Sequence, residues 1–198
     1  YPDEAQYWLW SRELAFGYFS KPPMIAWLIW LTTTLGGDAE AWVRLSAPLL
    51  HGATALVIYR LAQRLYGGWP GLAAAAIYSL MPGVVLSSGL MATDAPLLFF
   101  LSLTIWAYVA LPDASAGRRA PVAAGLGAAL GLAFLSKYAA IYALGSIALH
   151  FLVSKDARRR WSPMTAAIFL AAFVLVLAPN LAWNASHQFS TVKHTAAN

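Results

Sequence analysis

The 198-residue sequence contains no cysteine and little charge. Without cysteine there is no disulfide, no thiolate nucleophile and no thiolate metal site. Charged residues make up 11% of the chain, where a soluble domain carries about 25%. Only eight Asp and Glu are present, against thirteen Lys and Arg. The remainder is apolar: 60% of residues are hydrophobic, mean hydropathy is +0.61, and nine Trp are present. This composition excludes an ordinary soluble domain and identifies an integral membrane protein with many interfacial anchors. The net charge of +5 therefore marks membrane loops and not a nucleic-acid partner. The chain opens at Tyr1 with no initiator Met or signal peptide and stops at Asn198 in a polar aromatic segment, so it reads as a fragment of a longer polytopic protein.

A spanning helix needs about 20 mostly apolar residues. The candidates are 42–66, 69–88, 95–111 and 163–183, together with 122–153, which is too long for one span and divides at Ser136-Lys137 into two short helices. Five or six spans result, and the expected fold class is an all-α, polytopic transmembrane bundle. Residues 1–41 form a first outer loop, 42–183 the membrane helices and 184–198 the start of a later outer loop. Within the first loop, Pro22–Leu35 is about 14 residues long and Trp-rich, which suits an interfacial helix opened by Pro22-Pro23. Gly127 and Gly131 form a G-x-x-x-G, expected to serve close packing inside the bundle.

Eight of the thirteen Lys and Arg fall on alternate loops: Arg60, Arg64, Arg118, Arg119, Lys155, Arg158, Arg159 and Arg160. The positive-inside rule assigns these loops to the cytoplasm. Asp3, Glu4, Lys21, Asp94, Lys137 and His187 then share the opposite side. In so apolar a chain these polar groups point to one aqueous cavity. The most informative is Asp94, because a carboxylate between two long apolar runs is costly and marks a functional site.

The chemistry of this set suits a phosphorylated lipid. Lysines neutralise phosphate as point charges, and a carboxylate takes a proton from a hydroxyl nucleophile. Asp and Glu with His hold a divalent metal. Each residue also has a structural reading. Asp3-Glu4 and Asp94 suit helix N-termini, and Lys21 and Lys137 could snorkel to headgroups. His51 reads as a packed core histidine, and His187 and His194 as surface residues. The Asn184-Ala185-Ser186 sequon matters only in a secretory eukaryotic setting.

Several motifs occur in order: Asp3-Glu4-Ala5-Gln6-Tyr7-Trp8, Lys21-Pro22-Pro23, Arg44-Leu45, Ala92-Thr93-Asp94-Ala95-Pro96, Gly131 to Tyr138, and Pro179-Asn180-Leu181-Ala182-Trp183-Asn184. Together they resemble bacterial polyprenyl-phosphate-sugar-dependent glycosyltransferases of family 39, a group that includes protein mannosyltransferase-like enzymes and lipid A aminoarabinose transferases. The resemblance implies a GT-C fold in the bacterial inner membrane with its cavity facing the periplasm. It implies Asp3 and Asp94 as catalytic residues and Glu4, Lys21 and Lys137 as substrate-binding residues. It also implies a divalent metal (Mg, Mn or Zn) held by Asp3, Glu4 and His187. The implied partners are a polyprenyl-phosphate-linked sugar, membrane lipid and a lipid, glycan or protein acceptor. The other readings of the same charges are an ion- or proton-coupled transporter or lipid flippase, for which no internal repeat is visible, and a non-catalytic assembly subunit.

Overall fold

The computed structural model describes residues 2–197. Among them there is no strand, and the fold is an all-α membrane bundle. In chain order the helices are α1 (Pro2–Arg12), α2 (Met24–Gly36), α3 (Glu40–Arg44), α4 (Ser46–Tyr66), α5 (Gly68–Leu80), α6 (Pro82–Ser88) and α7 (Asp94–Ala110). They continue with α8 (Ala116–Ser136), α9 (Ile141–Val153), α10 (Lys155–Arg160), α11 (Pro163–Ser186) and α12 (Ser190–Ala197). Four segments are long and apolar enough to cross a membrane: Glu40–Tyr66, Asp94–Asp113, Ala116–Ser136 and Pro163–Ser186. The pair α5 and α6 makes a fifth candidate.

Three boundaries differ from the sequence expectation. The segment expected as one span over 69–88 is bent by 62° between α5 and α6. Pro82 has no N–H to donate and pushes Met81 to extended geometry (φ −61°, ψ 128°), so the helix restarts. The 122–153 segment does break at Lys137, but unequally. Its first part extends back to Ala116 as a 21-residue helix, long enough to span by itself, and only α9 is short. Pro121 lies inside the second turn of α8 and the helix continues through it. Finally, α2 is more than an interfacial skin: Ile25 and Ile29 are fully buried beneath α1.

The core lies between α7, α8 and α11, where Leu111, Leu126, Leu130 and Ala133 are fully buried. Glycine sets the approach of α8 to α11. A methyl group on Gly127 would collide with the Phe169 carbonyl and lie 2.9 Å from the Phe173 nitrogen, and one on Gly131 would lie 2.8 Å from Val176 Cγ1. Gly125 faces open space and takes no part. Gly127→Leu is therefore expected to push α11 off α8, at a cost of about 3 kcal/mol or more. Thermal unfolding in detergent checks this, with Gly125→Leu as the near-neutral control.

The two ends of the bundle differ in charge. At one end Asp113 pairs with Arg64 at 2.8 Å and with Arg160 at 3.9 Å, tying the basic loops together. At the other end lie α1, the turn before α7 and the break after α8, and the unusual polar groups gather there.

Candidate functional site

The site starts from Glu4, in the first turn of α1. Its carboxylate is buried and accepts two bonds from Arg44, at 2.8 and 2.7 Å, and one from the Met91 backbone N–H at 2.9 Å. Burial alone would raise the Glu4 carboxyl. The Arg44 and Met91 hydrogen bonds, with the Arg44 charge, outweigh burial and hold it below the usual carboxylate range. Arg44 also pairs with Glu40. This bidentate lock joins the outer helix α1 to the end of α3 and to the 89–93 turn. Through these contacts Glu4 positions the site.

The lock sets the neighbouring residues. Asp3 faces a cleft of about 580 Å³ lined also by Gln6, Tyr7, Lys21 and His194. Among the described residues Asp3 makes no ion pair. Asp94 is the first residue of α7 and does not cap that helix with its side chain; Thr93 holds the N-cap position. Its carboxylate instead accepts from Lys137 Nζ at 2.8 Å. Lys137 reaches it because α8 ends at Ser136 and the backbone turns extended at Lys137 (φ −162°, ψ 135°). Both members of the pair remain partly exposed. Tyr7, on α1 one turn after Asp3 and Glu4, is 4% exposed. Burial first, then the charges of Asp3 and Asp94, push its phenol up to about 12. Both carboxylates thus act on one hydroxyl, and that hydroxyl has no hydrogen-bond partner among the described residues.

Lys21 is held by its loop. The Tyr18 hydroxyl lies 3.0 Å from the Trp10 and Glu13 carbonyls and accepts from Ala15 N–H at 3.1 Å. Asn180 donates to the Phe16 carbonyl at 2.6 Å, Trp27 Nε1 to the Ala15 carbonyl at 3.0 Å, and Thr191 to the Tyr18 carbonyl. Asn180 and Asn184 share the Tyr138 hydroxyl, each at 3.0 Å. These buried amides fix the Lys21 loop and the Lys137 break on one scaffold. An apolar groove of about 490 Å³, which shares Thr195 with the polar cleft, is lined by Phe134, Tyr142, Leu177 and Leu181, with Lys137 and Tyr138 on its wall.

Two expectations about histidine change. The metal set Asp3, Glu4 and His187 does not assemble, and no group of three His, Asp or Glu among the described residues is placed to hold an ion. Glu4 is taken by Arg44. His187 stacks flat on Trp183 (4.0 Å, 10°) with Nδ1 2.8 Å from the Trp183 carbonyl. These side chains do not fit a resident divalent ion. His194, expected at the surface, lines the Asp3 cleft against Phe19. Tyr7 and His194 were both visible in the sequence, but no local pattern marked them as facing this cleft.

Residues 20–183 match the family described as dolichyl-phosphate-mannose-protein mannosyltransferase. The chain belongs to that family. The matched stretch contains Lys21, Arg44, Asp94 and Lys137, while Asp3, Glu4 and Tyr7 precede it. Within the family the chain is 43% identical over 198 residues to the lipid A galacturonosyltransferase RgtD of Rhizobium johnstonii, covering 98% of the chain and 40% of RgtD. It is 31% identical to the undecaprenyl phosphate-alpha-4-amino-4-deoxy-L-arabinose arabinosyl transferase 2 of Sodalis glossinidius, covering 81% of the chain and 31% of that protein. The fold is that of ArnT from Cupriavidus metallidurans, solved in the apo state: TM-score 0.80 over 95% of the chain and 38% of ArnT, at 22% identity. The chain thus spans about two fifths of the length of RgtD and ArnT, and it has the GT-C fold of the family.

Proposed function

We propose that the full-length protein is a membrane glycosyltransferase that moves a sugar from a polyprenyl phosphate to a lipid acceptor, at the periplasmic face of a bacterial inner membrane. One observation carries this reading: Asp3, Tyr7 and Lys21 line a polar cleft that adjoins, at Thr195, an apolar groove walled by Lys137. A donor with a charged head and a long apolar tail needs such a pair of spaces. The identity to a protein named lipid A galacturonosyltransferase favours a lipid acceptor over a glycan or a protein. The transporter reading draws no support from these relatives.

In this mechanism the acceptor hydroxyl oxygen attacks the anomeric carbon. The bond from that carbon to the phosphate oxygen breaks, and the electron pair leaves with the polyprenyl phosphate. The acceptor proton passes to the Asp3 carboxylate, which faces the cleft and makes no ion pair among the described residues. Lys21 and Lys137 lower the cost of the departing phosphate charge. Lys137 reaches the phosphate while bound to Asp94, so Asp94 sets where that charge stands. Direct displacement inverts the anomeric centre.

Full-length protein in membranes, given radiolabelled polyprenyl-phosphate sugars, is expected to move label into the lipid fraction. Failure with every donor, together with proton- or ion-coupled uptake, overturns the reading. Tyr7→Phe is expected to slow transfer about tenfold, the size of one transition-state hydrogen bond. Because its phenol titrates only near 12, the ratio to wild type should stay constant between about pH 6 and 9. A ratio that changes across this range would show that Tyr7 ionises during turnover.

A further inference from the structure

His51 lies on α4 in the middle of a membrane span and is 4% exposed. Its Nδ1 is 2.8 Å from the Tyr78 hydroxyl, and its Nε2 is 3.0 Å from Ser87 Oγ. A neutral imidazole has one N–H and one lone pair, so one hydroxyl accepts from the ring and the other donates to it. Tyr78 belongs to α5, before the 62° bend, and Ser87 to α6, after it. Pro82 breaks the backbone between them and leaves the angle to be set by side chains. The segment that follows α6 is the 89–93 turn. Its Met91 N–H is bound by Glu4, its Met91 sulfur accepts from Ser46 at 3.2 Å, and it leads into Asp94.

We infer that His51 is a positioning residue that clamps the two halves of the bent span and thereby holds the Met91 turn and Asp94 in place for transfer. The inference rests on the reading of Asp94 as a site residue; the clamp itself is testable without it. Packing alone would be served by an apolar ring at position 51. A histidine bonded on both nitrogens, to opposite sides of a bend, fixes an angle that packing leaves loose.

These 198 residues contain no cysteine, so a single introduced thiol reports locally. Met91 is 1% exposed and Ala133 is fully buried. In the full-length protein in membranes, with any cysteine outside these residues replaced, maleimide labelling of Met91→Cys is expected to rise at least tenfold on adding His51→Phe. Labelling of Ala133→Cys, the control for the core, should not change. Tyr78→Phe and Ser87→Ala each remove one bond with little change in volume and should give smaller increases. In the sugar-transfer assay His51→Phe should raise KM for the donor about tenfold with kcat within twofold, as expected of a residue acting through Asp94, and His51→Gln should restore part of it. A Met91→Cys thiol that stays protected in His51→Phe and in both single-bond variants overturns the clamp. Increased labelling in an enzyme that transfers nothing from any donor supports the clamp and counts against the transferase reading instead.

Discussion

Asp3→Asn in the full-length enzyme is expected to lower sugar transfer by about 10²–10⁴-fold, the range for loss of a positioned general base. Thermal stability should barely change, because Asp3 makes no ion pair among the described residues and faces an open cleft. Asp94→Asn is expected to lower transfer to a similar extent by another route. It removes the negative charge that Lys137 meets at 2.8 Å and leaves only a neutral amide oxygen to accept, so a site cation is held less firmly. The two variants separate on the donor: Asp94→Asn should raise KM for the polyprenyl-phosphate sugar, whereas Asp3→Asn should act on kcat. Label transfer with donor titration measures both. Full activity in Asp3→Asn would remove it from the mechanism.

Arg44→Met is the substitution expected to cost most stability. It removes the bidentate Arg44 partner of the buried Glu4 carboxylate, and breaking such a pair costs about 3–5 kcal/mol. Glu4→Gln should be milder, because Arg44 keeps Glu40 as a partner. The sign of the pH effect follows from the direction of the Glu4 shift. Its folded value is held below its ordinary 4.5, so the lock contributes stability fully above that pH and loses it as acid titrates the folded carboxyl. Wild type should therefore weaken on acidification below about 4.5, and Arg44→Met should lack this step. Both variants should also lose transfer, since the lock holds the turn that leads to Asp94. Unfolding midpoints in detergent at several pH values measure the stability effect. Equal losses for Glu4→Gln and Arg44→Met would mean that Glu40 does not compensate.

Some of this was legible in the sequence because it follows from local composition. A helix in lipid must satisfy its own backbone, so apolar length alone announces the spans. Rare charges in apolar surroundings announce function, and Asp94 and Lys137 stood out on that ground before their 2.8 Å contact was known. Gly127 and Gly131 follow the same logic, since their spacing on one helix face is periodic whatever the partner. His51 was read as a packed histidine, and the structure agrees, with both nitrogens bonded.

Tertiary structure alone decided how the charges divide their work. Asp3 and Glu4 are adjacent and chemically alike. The helical turn sends one into a cleft and the other onto Arg44, forty residues away in sequence. No pattern in the sequence encodes that choice, because it depends on which side chain another helix happens to meet. The same reason put His194 in the cleft. It turned one apparent span into two halves at 62°, with Pro82 opening the second half. Membrane class, family motifs and the Asp94 signal were thus fixed by residue chemistry along the chain. The separation of Asp3 from Glu4, the Tyr7 hydroxyl under the charges of Asp3 and Asp94 and the His51 bridge arise only when distant segments pack.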